Sequence, residues 1–282
     1  MFLAHKWYNG SKQKLTTDEE VIHMAKSKVI AILLSGDNNT GIISDIPKQY
    51  VDVDGRMIIS YSMETLLKHK GIDELWIAAA SKWRNYILDE ATKLKLPVDK
   101  IKGFVEPADS RQMSIVVTLE AIVAAKGISN LTYEKVLIHD AARPFVKDEQ
   151  ITKLIAVADE HEGVMPALPM KDTVYLSDDG VTVTRLFEKN RIFAGHTPEI
   201  FNLKKYYYAN ILLVPEKIKL INGSTEPAVM ASMDVAMIDG DEGNFKITTQ
   251  TDLDRFEEII LEKKKSKRKR GEKGKSELRN RA

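Results

Sequence analysis

Residues 29–41 read VIAILLSGDNNTG, a six-residue apolar run that breaks into a polar turn. Continuous Ile, Leu and Val without alternation mark a strand buried on both faces, the kind found inside parallel sheets. The segments that follow keep the same rhythm. ISYSMETLLKH (59–69) has helical spacing, ELWIAAA (74–80) is strand-like, and SKWRNYILDEATKL (81–94) is helical again. DKIKGFVE (99–106), KVLIHD (135–140) and GVMPALP (163–169) supply further strands. Helices are expected at 113–126 and 148–162. Strand and helix in alternation at short intervals predict an α/β fold, a mostly parallel sheet with helices on both faces.

Outside that pattern lie three other textures. Residues 1–27 read as an N-terminal extension, and 28–262 as one domain. Within it, VYLSDDGVTVTRLF (174–187) alternates around Asp178-Asp179-Gly180 and predicts a β-hairpin arm at about 170–196. VAMIDGDEGNFKIT (235–248) suggests two more strand-like pieces, and DLDRFEEIILEKK a closing helix capped by Thr251 or Asp252. Residues 263–282 carry eleven Lys or Arg and two Glu, a local charge of +9 in a chain whose net charge is +1. Without an aromatic residue to stack on a base, this segment reads as a solvated, disordered tail rather than a specific nucleic-acid site.

Composition narrows the chemistry. The 282 residues contain no cysteine, which excludes disulfides, thiolate metal sites and a cysteine nucleophile. No apolar run approaches the roughly 18 residues of a membrane span, and the first residues lack a signal-type apolar stretch. The cytoplasm is the expected location.

In a parallel sheet, ligands bind beyond the carboxyl ends of the strands. Two polar segments stand there. Ser35, Gly36 and Asn39 belong to SGDNNTG, a turn whose backbone N–H groups can face an anion, although an ordinary βα turn looks the same. HDAARP (139–144) places Asp140 at a strand end with Arg143 three residues on. Asp140 could hold Mg²⁺ through oxygen and Arg143 could fork onto phosphate, or the two could form a structural ion pair. His139 points to the opposite side of the strand from Asp140 and reads as structural.

PKQY (47–50), SRQMSI (110–115), HDAARPF (139–145), KDT (171–173), HTPEIF (196–201) and NFKIT (244–248) occur in an order that resembles the 2-C-methyl-D-erythritol 4-phosphate and D-ribitol 5-phosphate cytidylyltransferases. The resemblance runs from about Val29 to Ile260. It implies a Rossmann-like nucleotidyltransferase fold, a homodimer built through the hairpin arm, and transfer of CMP from CTP to a polyol phosphate with release of pyrophosphate. By the same resemblance Lys48 and Lys246 are catalytic. Asp140, Arg143, Thr173 and Lys189 surround the polyol phosphate, with Arg143 and Thr173 possible contributors across the dimer. Ser35, Gly36, Asn39, Arg111 and Ser114 border the nucleotide. A Mg²⁺ would bridge the triphosphate with Asp140 beside it. PKQYVDVDG, the tryptophan of SKWRNYI and AGHTPEIFN lean toward ribitol 5-phosphate, HDAARP toward the methylerythritol ester.

The chain also departs from the family pattern. Asp37 and Asn39 stand where the first loop of the family has glycines, and Gly41 where it has arginine. Pro107-Ala108 replace paired glycines, and Lys189 an arginine. These changes keep two other readings open: a non-catalytic relative that binds nucleotide or protein, and a different nucleotide-dependent enzyme on a similar sheet.

Overall fold

The computed structural model describes residues 28–36, 46–131 and 134–279, with side chains through 266. In chain order the elements are β1 (Val29–Leu34), the short hairpin β2 (Asp52–Val53) and β3 (Arg56–Met57), α1 (Ile59–Lys68), β4 (Glu74–Ala78), α2 (Ser81–Lys93), β5 (Ile101–Val105) and α3 (Arg111–Lys126). β6 (Lys135–Asp140), α4 (Asp148–Val157) and β7 (Gly163–Pro169) follow. Then come β8 (Tyr175–Leu176), β9 (Arg185–Leu186), β10 (Phe193–Gly195), β11 (Glu199–Asn202), α5 (Leu203–Ile211), α6 (Glu226–Met230), β12 (Val235–Asp239) and α7 (Gln250–Arg279).

The central sheet has eight strands. β5, β4, β1 and β6 run parallel in that order. β11 inserts antiparallel between β6 and β7, while β10 pairs antiparallel and β12 parallel with β7. This is the expected mostly parallel sheet, made mixed by the antiparallel β10 and β11. β1 explains why both faces are covered. Ala31 and Leu33 pack with α1, α2 and α4, whereas Ile30 and Ile32 pack with α3 and α5. Each fully buried Ile or Leu of this kind stabilises by about 1.5–3 kcal/mol.

Several expectations are corrected. The helix from Asp148 stops at Val157 and gives way to turns before β7. Only one of the two late strand pieces forms; Asn244–Thr248 runs as irregular backbone beside β6, tied there by Ile247 N–H donating to the Ala142 carbonyl. β10 and β11 were not legible because each is short and owes its pairing to partners distant in sequence, and β2 and β3 because two residues carry no period. α7 starts one residue before Thr251, and its cap is reciprocal. The Asp252 carboxylate accepts from the N–H groups of Thr248 and Thr249, and Thr249 Oγ1 accepts from the Asp252 N–H at 3.2 Å.

The basic segment from Lys263 continues α7 to Arg279. Lys and Arg are good helix formers, and no proline interrupts the run. Its first residues touch the domain: Lys263 Nζ lies 4.4 Å from the Phe145 ring centre and Lys264 pairs with Asp54 at 2.6 Å. The N-terminal extension, 1–27, lies outside the described residues. Among those described, no helix is long and apolar enough to cross a membrane.

Candidate active site

Strand order reverses at β1, since β4 and β5 extend to one side and β6 to the other. A cavity at such a reversal is expected, because the loops after adjacent strands diverge there. Leu34 and Asp140 are paired in register at the ends of β1 and β6. Beyond them opens a cavity of about 650 Å³, bordered by Gly36, Gln49, the 107–111 loop, Ser114, Asp140 and Lys246. That volume suits a nucleotide-sized ligand.

Asp140 is 6% exposed and ringed by three cations. Arg111 Nε donates to Oδ1 at 2.9 Å, Lys246 Nζ stands 3.2 Å from Oδ2, and Arg143 Nε stands 3.8 Å from Oδ2. Its N–H donates to Thr197 Oγ1 at 3.3 Å. Burial opposes ionisation, but Arg111, then Lys246 and Arg143, outweigh it and hold the carboxyl well below the usual carboxylate range. One carboxylate among three cations leaves surplus positive charge facing the cavity, which suits phosphate.

Each cation arrives by a different route. Ser110 caps α3 by accepting the Met113 N–H at 3.1 Å, which sets Arg111 in the first turn beside β6. Arg143 follows β6 through a tight turn in which its N–H donates to the Asp140 carbonyl at 3.0 Å. Its Nη1 reaches the Asn244 carbonyl at 2.9 Å and so pins the strand of backbone that carries Lys246. Asn244 Nδ2 in turn donates to the Thr197 carbonyl at 2.9 Å. His139 is structural, as expected: fully buried, its Nε2 is 3.0 Å from the Arg143 carbonyl and burial lowers its pKa to about 4.

Of the residues expected from sequence, Gly36, Arg111, Ser114, Asp140 and Lys246 border the cavity together, with Arg143 behind Asp140. Ser114 Oγ is held by the loop before α3, accepting the Ala108 N–H at 3.1 Å and donating to the Ser110 carbonyl at 2.9 Å. Ser35 does not line the cavity. Its hydroxyl bonds Tyr50 Oη at 2.8 Å, and its carbonyl accepts from Tyr50 and Gln49, so it fastens the end of β1 to the 48–50 turn. Lys48 is 4% exposed; its neighbour Gln49 borders the cavity. Thr173 and Lys189 are exposed on the arm and do not line the cavity of their own chain. Asn39, with Asp37 and Gly41, lies outside the described residues.

Sequence reasoning missed Glu199, Ser224, Thr197 and Asn244. Thr197 and Asn244 sit inside quoted motifs, HTPEIF and NFKIT, but their bonds to Asp140 and to each other depend on β11 lying beside β6.

The expectation that Asp140 ligates Mg²⁺ does not fit its surroundings. Both carboxylate oxygens already face cations, and the described residues contain no group of three or more His, Cys, Asp or Glu able to hold a metal. A divalent ion there would meet Arg111, Arg143 and Lys246 at close range.

The family model described as IspD: 2-C-methyl-D-erythritol 4-phosphate cytidylyltransferase matches residues 29–263. The 2-C-methyl-D-erythritol 4-phosphate cytidylyltransferase of Clostridium acetobutylicum is 30% identical over 231 residues, covering 82% of this chain and 96% of that protein. The bifunctional enzyme IspD/IspF of Wolbachia pipientis wMel is 27% identical over 241 residues, 85% of this chain but 57% of that protein's length. In fold, the chain resembles the crystal structure of 4-diphosphocytidyl-2C-methyl-D-erythritolsynthase from Anaerococcus prevotii, with a TM-score of 0.70 at 23% identity, covering 84% of this chain and 97% of that one.

Proposed function

The chain belongs to the 2-C-methyl-D-erythritol 4-phosphate cytidylyltransferase family, and on that premise we propose that it joins CTP to 2-C-methyl-D-erythritol 4-phosphate. The names of its relatives favour this acceptor over the ribitol 5-phosphate toward which several sequence stretches lean. The observation that carries the reading is Asp140 held at the strand reversal by Arg111, Lys246 and Arg143.

In the reaction, an oxygen of the acceptor phosphate forms a bond to the α-phosphorus of CTP. The bond from the α-phosphorus to the bridging oxygen breaks, and pyrophosphate leaves with that electron pair. The nucleophile is already anionic, so no side chain has to remove a proton. The protein's work is to position two anions and offset their charge. The wall formed by Gly36, Ala108, Ser110 and Ser114 takes the nucleotide. Lys246, half turned to the cavity, meets the acceptor phosphate, while Asp140 fixes its ammonium and keeps it from swinging into solvent. Lys48, by its place in the family motif, offsets charge on the phosphates during transfer.

A second copy of the chain completes the site in this reading. The arm exposes Tyr175, Val181, Val183 and Leu186, an apolar surface that pairing of two arms would cover. Thr173 and Lys189, carried on it, would then reach the partner's acceptor site.

Purified protein incubated with CTP, Mg²⁺ and each polyol phosphate tests the proposal. Pyrophosphate and a CDP-polyol are expected with the methylerythritol ester. Turnover only with ribitol 5-phosphate would overturn the acceptor. CTP binding without turnover on either would favour the non-catalytic reading.

A further inference from the structure

We infer that Glu199 is a positioning residue that fixes the Arg111 guanidinium through the hydroxyl of Ser224. The inference rests on the cavity being the CTP site. Glu199 opens β11 and is paired with Ile138 of β6, which brings its carboxylate beneath the cavity floor near Asp140. It is 6% exposed, and Ser224 is 1% exposed. One Glu199 oxygen accepts the Ser224 hydroxyl and the other accepts Thr225 Oγ1 at 3.1 Å. Ser224 Oγ accepts from Arg111 Nη1 at 3.2 Å, and the Ser224 carbonyl accepts from Tyr206 Oη at 2.6 Å.

The direction of this chain follows from the inventory of protons. A serine hydroxyl has a single hydrogen. Directed at Glu199, it leaves only lone pairs toward Arg111, so the carboxylate sets the hydroxyl as an acceptor for the guanidinium. Arg111 is then gripped at two places, Nη1 by Ser224 and Nε by Asp140 at 2.9 Å. Acidic and basic side chains alternate from Glu199 through Ser224-bound Arg111 and Asp140 to Lys246. Releasing Arg111 from Ser224 lets it follow the cavity anion or leave Asp140. Asp140 would then turn more fully to Lys246 and draw that ammonium away from the acceptor. A carboxylate that touches neither substrate thereby governs a lysine on the far side of the cavity.

The test uses full-length Ser224→Ala, Glu199→Ala and Glu199→Gln. Nitrogen-15 NMR of the Arg111 guanidinium reads the restraint without any turnover. Separate Nη signals are expected in the unaltered protein and merged signals in Ser224→Ala and Glu199→Ala. Steady-state kinetics should show kcat lowered about 10- to 100-fold in both alanine variants, with KM for CTP within about twofold, the effect of misplacing a group without removing it. Glu199→Gln keeps an acceptor for Ser224 and should restore most of kcat. Adding Glu199→Ala to Arg111→Ala should cost nothing further. Unmerged signals in both alanine variants, or losses that add in the Arg111→Ala background, would overturn the inference. If the unaltered protein makes no pyrophosphate, the proposed function fails while the NMR comparison still decides the role of Glu199.

Discussion

Gly36 and Pro107 touch so closely that a β-carbon on Gly36 would stand 2.2 Å from the proline Cβ. The loop after β1 and the loop before α3 are therefore joined across one side of the cavity, and Pro107 sits where the family has glycine. The contact explains how the site accommodates Pro107: the glycine opposite supplies the room.

Gly36→Ala should thus push the two loops apart. Overpacking of this kind costs about 1–3 kcal/mol. A lower melting temperature together with CTP affinity reduced at least about tenfold is expected, the second because both loops border the cavity. Calorimetric titration with CTP alongside thermal melting checks it; unchanged affinity would separate this contact from nucleotide binding.

Lys48 is buried, so Lys48→Ala would confound loss of charge with loss of packing. Lys48→Met keeps most of the aliphatic volume. It should remain folded yet lose about 10²–10³-fold in kcat, the usual cost of removing one electrostatic donor from a phosphoryl-type transition state. Pyrophosphate release measured beside circular dichroism distinguishes the two effects, and a folded variant with full activity would remove Lys48 from the mechanism.

Two buried groups make stability depend on pH in separate windows. His139 has its pKa lowered by burial to about 4, below the roughly 6.5 of an unfolded chain. The unfolded state therefore binds more protons between those values, and stability falls as pH drops from about 6.5 toward 4. Asp140 is held below the ordinary carboxylate range despite burial, chiefly by Arg111. Its contribution is complete above an unfolded pKa of about 3.9 and is lost as pH falls further. Denaturant midpoints from pH 8 to 2 should show both declines, with the lower one reduced in Asp140→Asn.

The boundary of the basic segment matters to the fold. Ending the chain after Ser266 keeps Lys263 over Phe145 and Lys264 on Asp54, and turnover should be unchanged. Ending it after Glu262 removes both. Phe145 packs on Phe245, which adjoins Lys246, so this shorter chain should lose stability by about 0.5–2 kcal/mol and some kcat. Identical melting temperatures for the two truncations would contradict the contact.

How much of this was legible beforehand depended on how local the cause was. VIAILL declared a buried strand because its six residues are all apolar, and KVLIHD followed the same rhythm, its apolar run giving way to the polar end at Asp140. Arg143 was readable because it lies three residues from Asp140. Arg111 and Lys246 were assigned only through resemblance, since nothing in their own segments points to Asp140. The burial of Lys48 was not legible, because a lysine beside a proline carries no local sign of it.

From its residues alone the chain fixed its α/β class, its strand ends and, through six ordered motifs, its family. Periodicity and short-range spacing record which side of an element faces the core, and that is enough for an architecture. The tertiary structure alone decided that Asp140 is shared among three cations, that Ser35 fastens β1 instead of lining the cavity, and that Glu199 reaches Arg111 by way of Ser224. Those bonds join residues up to 113 positions apart, and the reach of Glu199 follows from β11 entering the sheet between β6 and β7. A bond between distant segments leaves no period in either one.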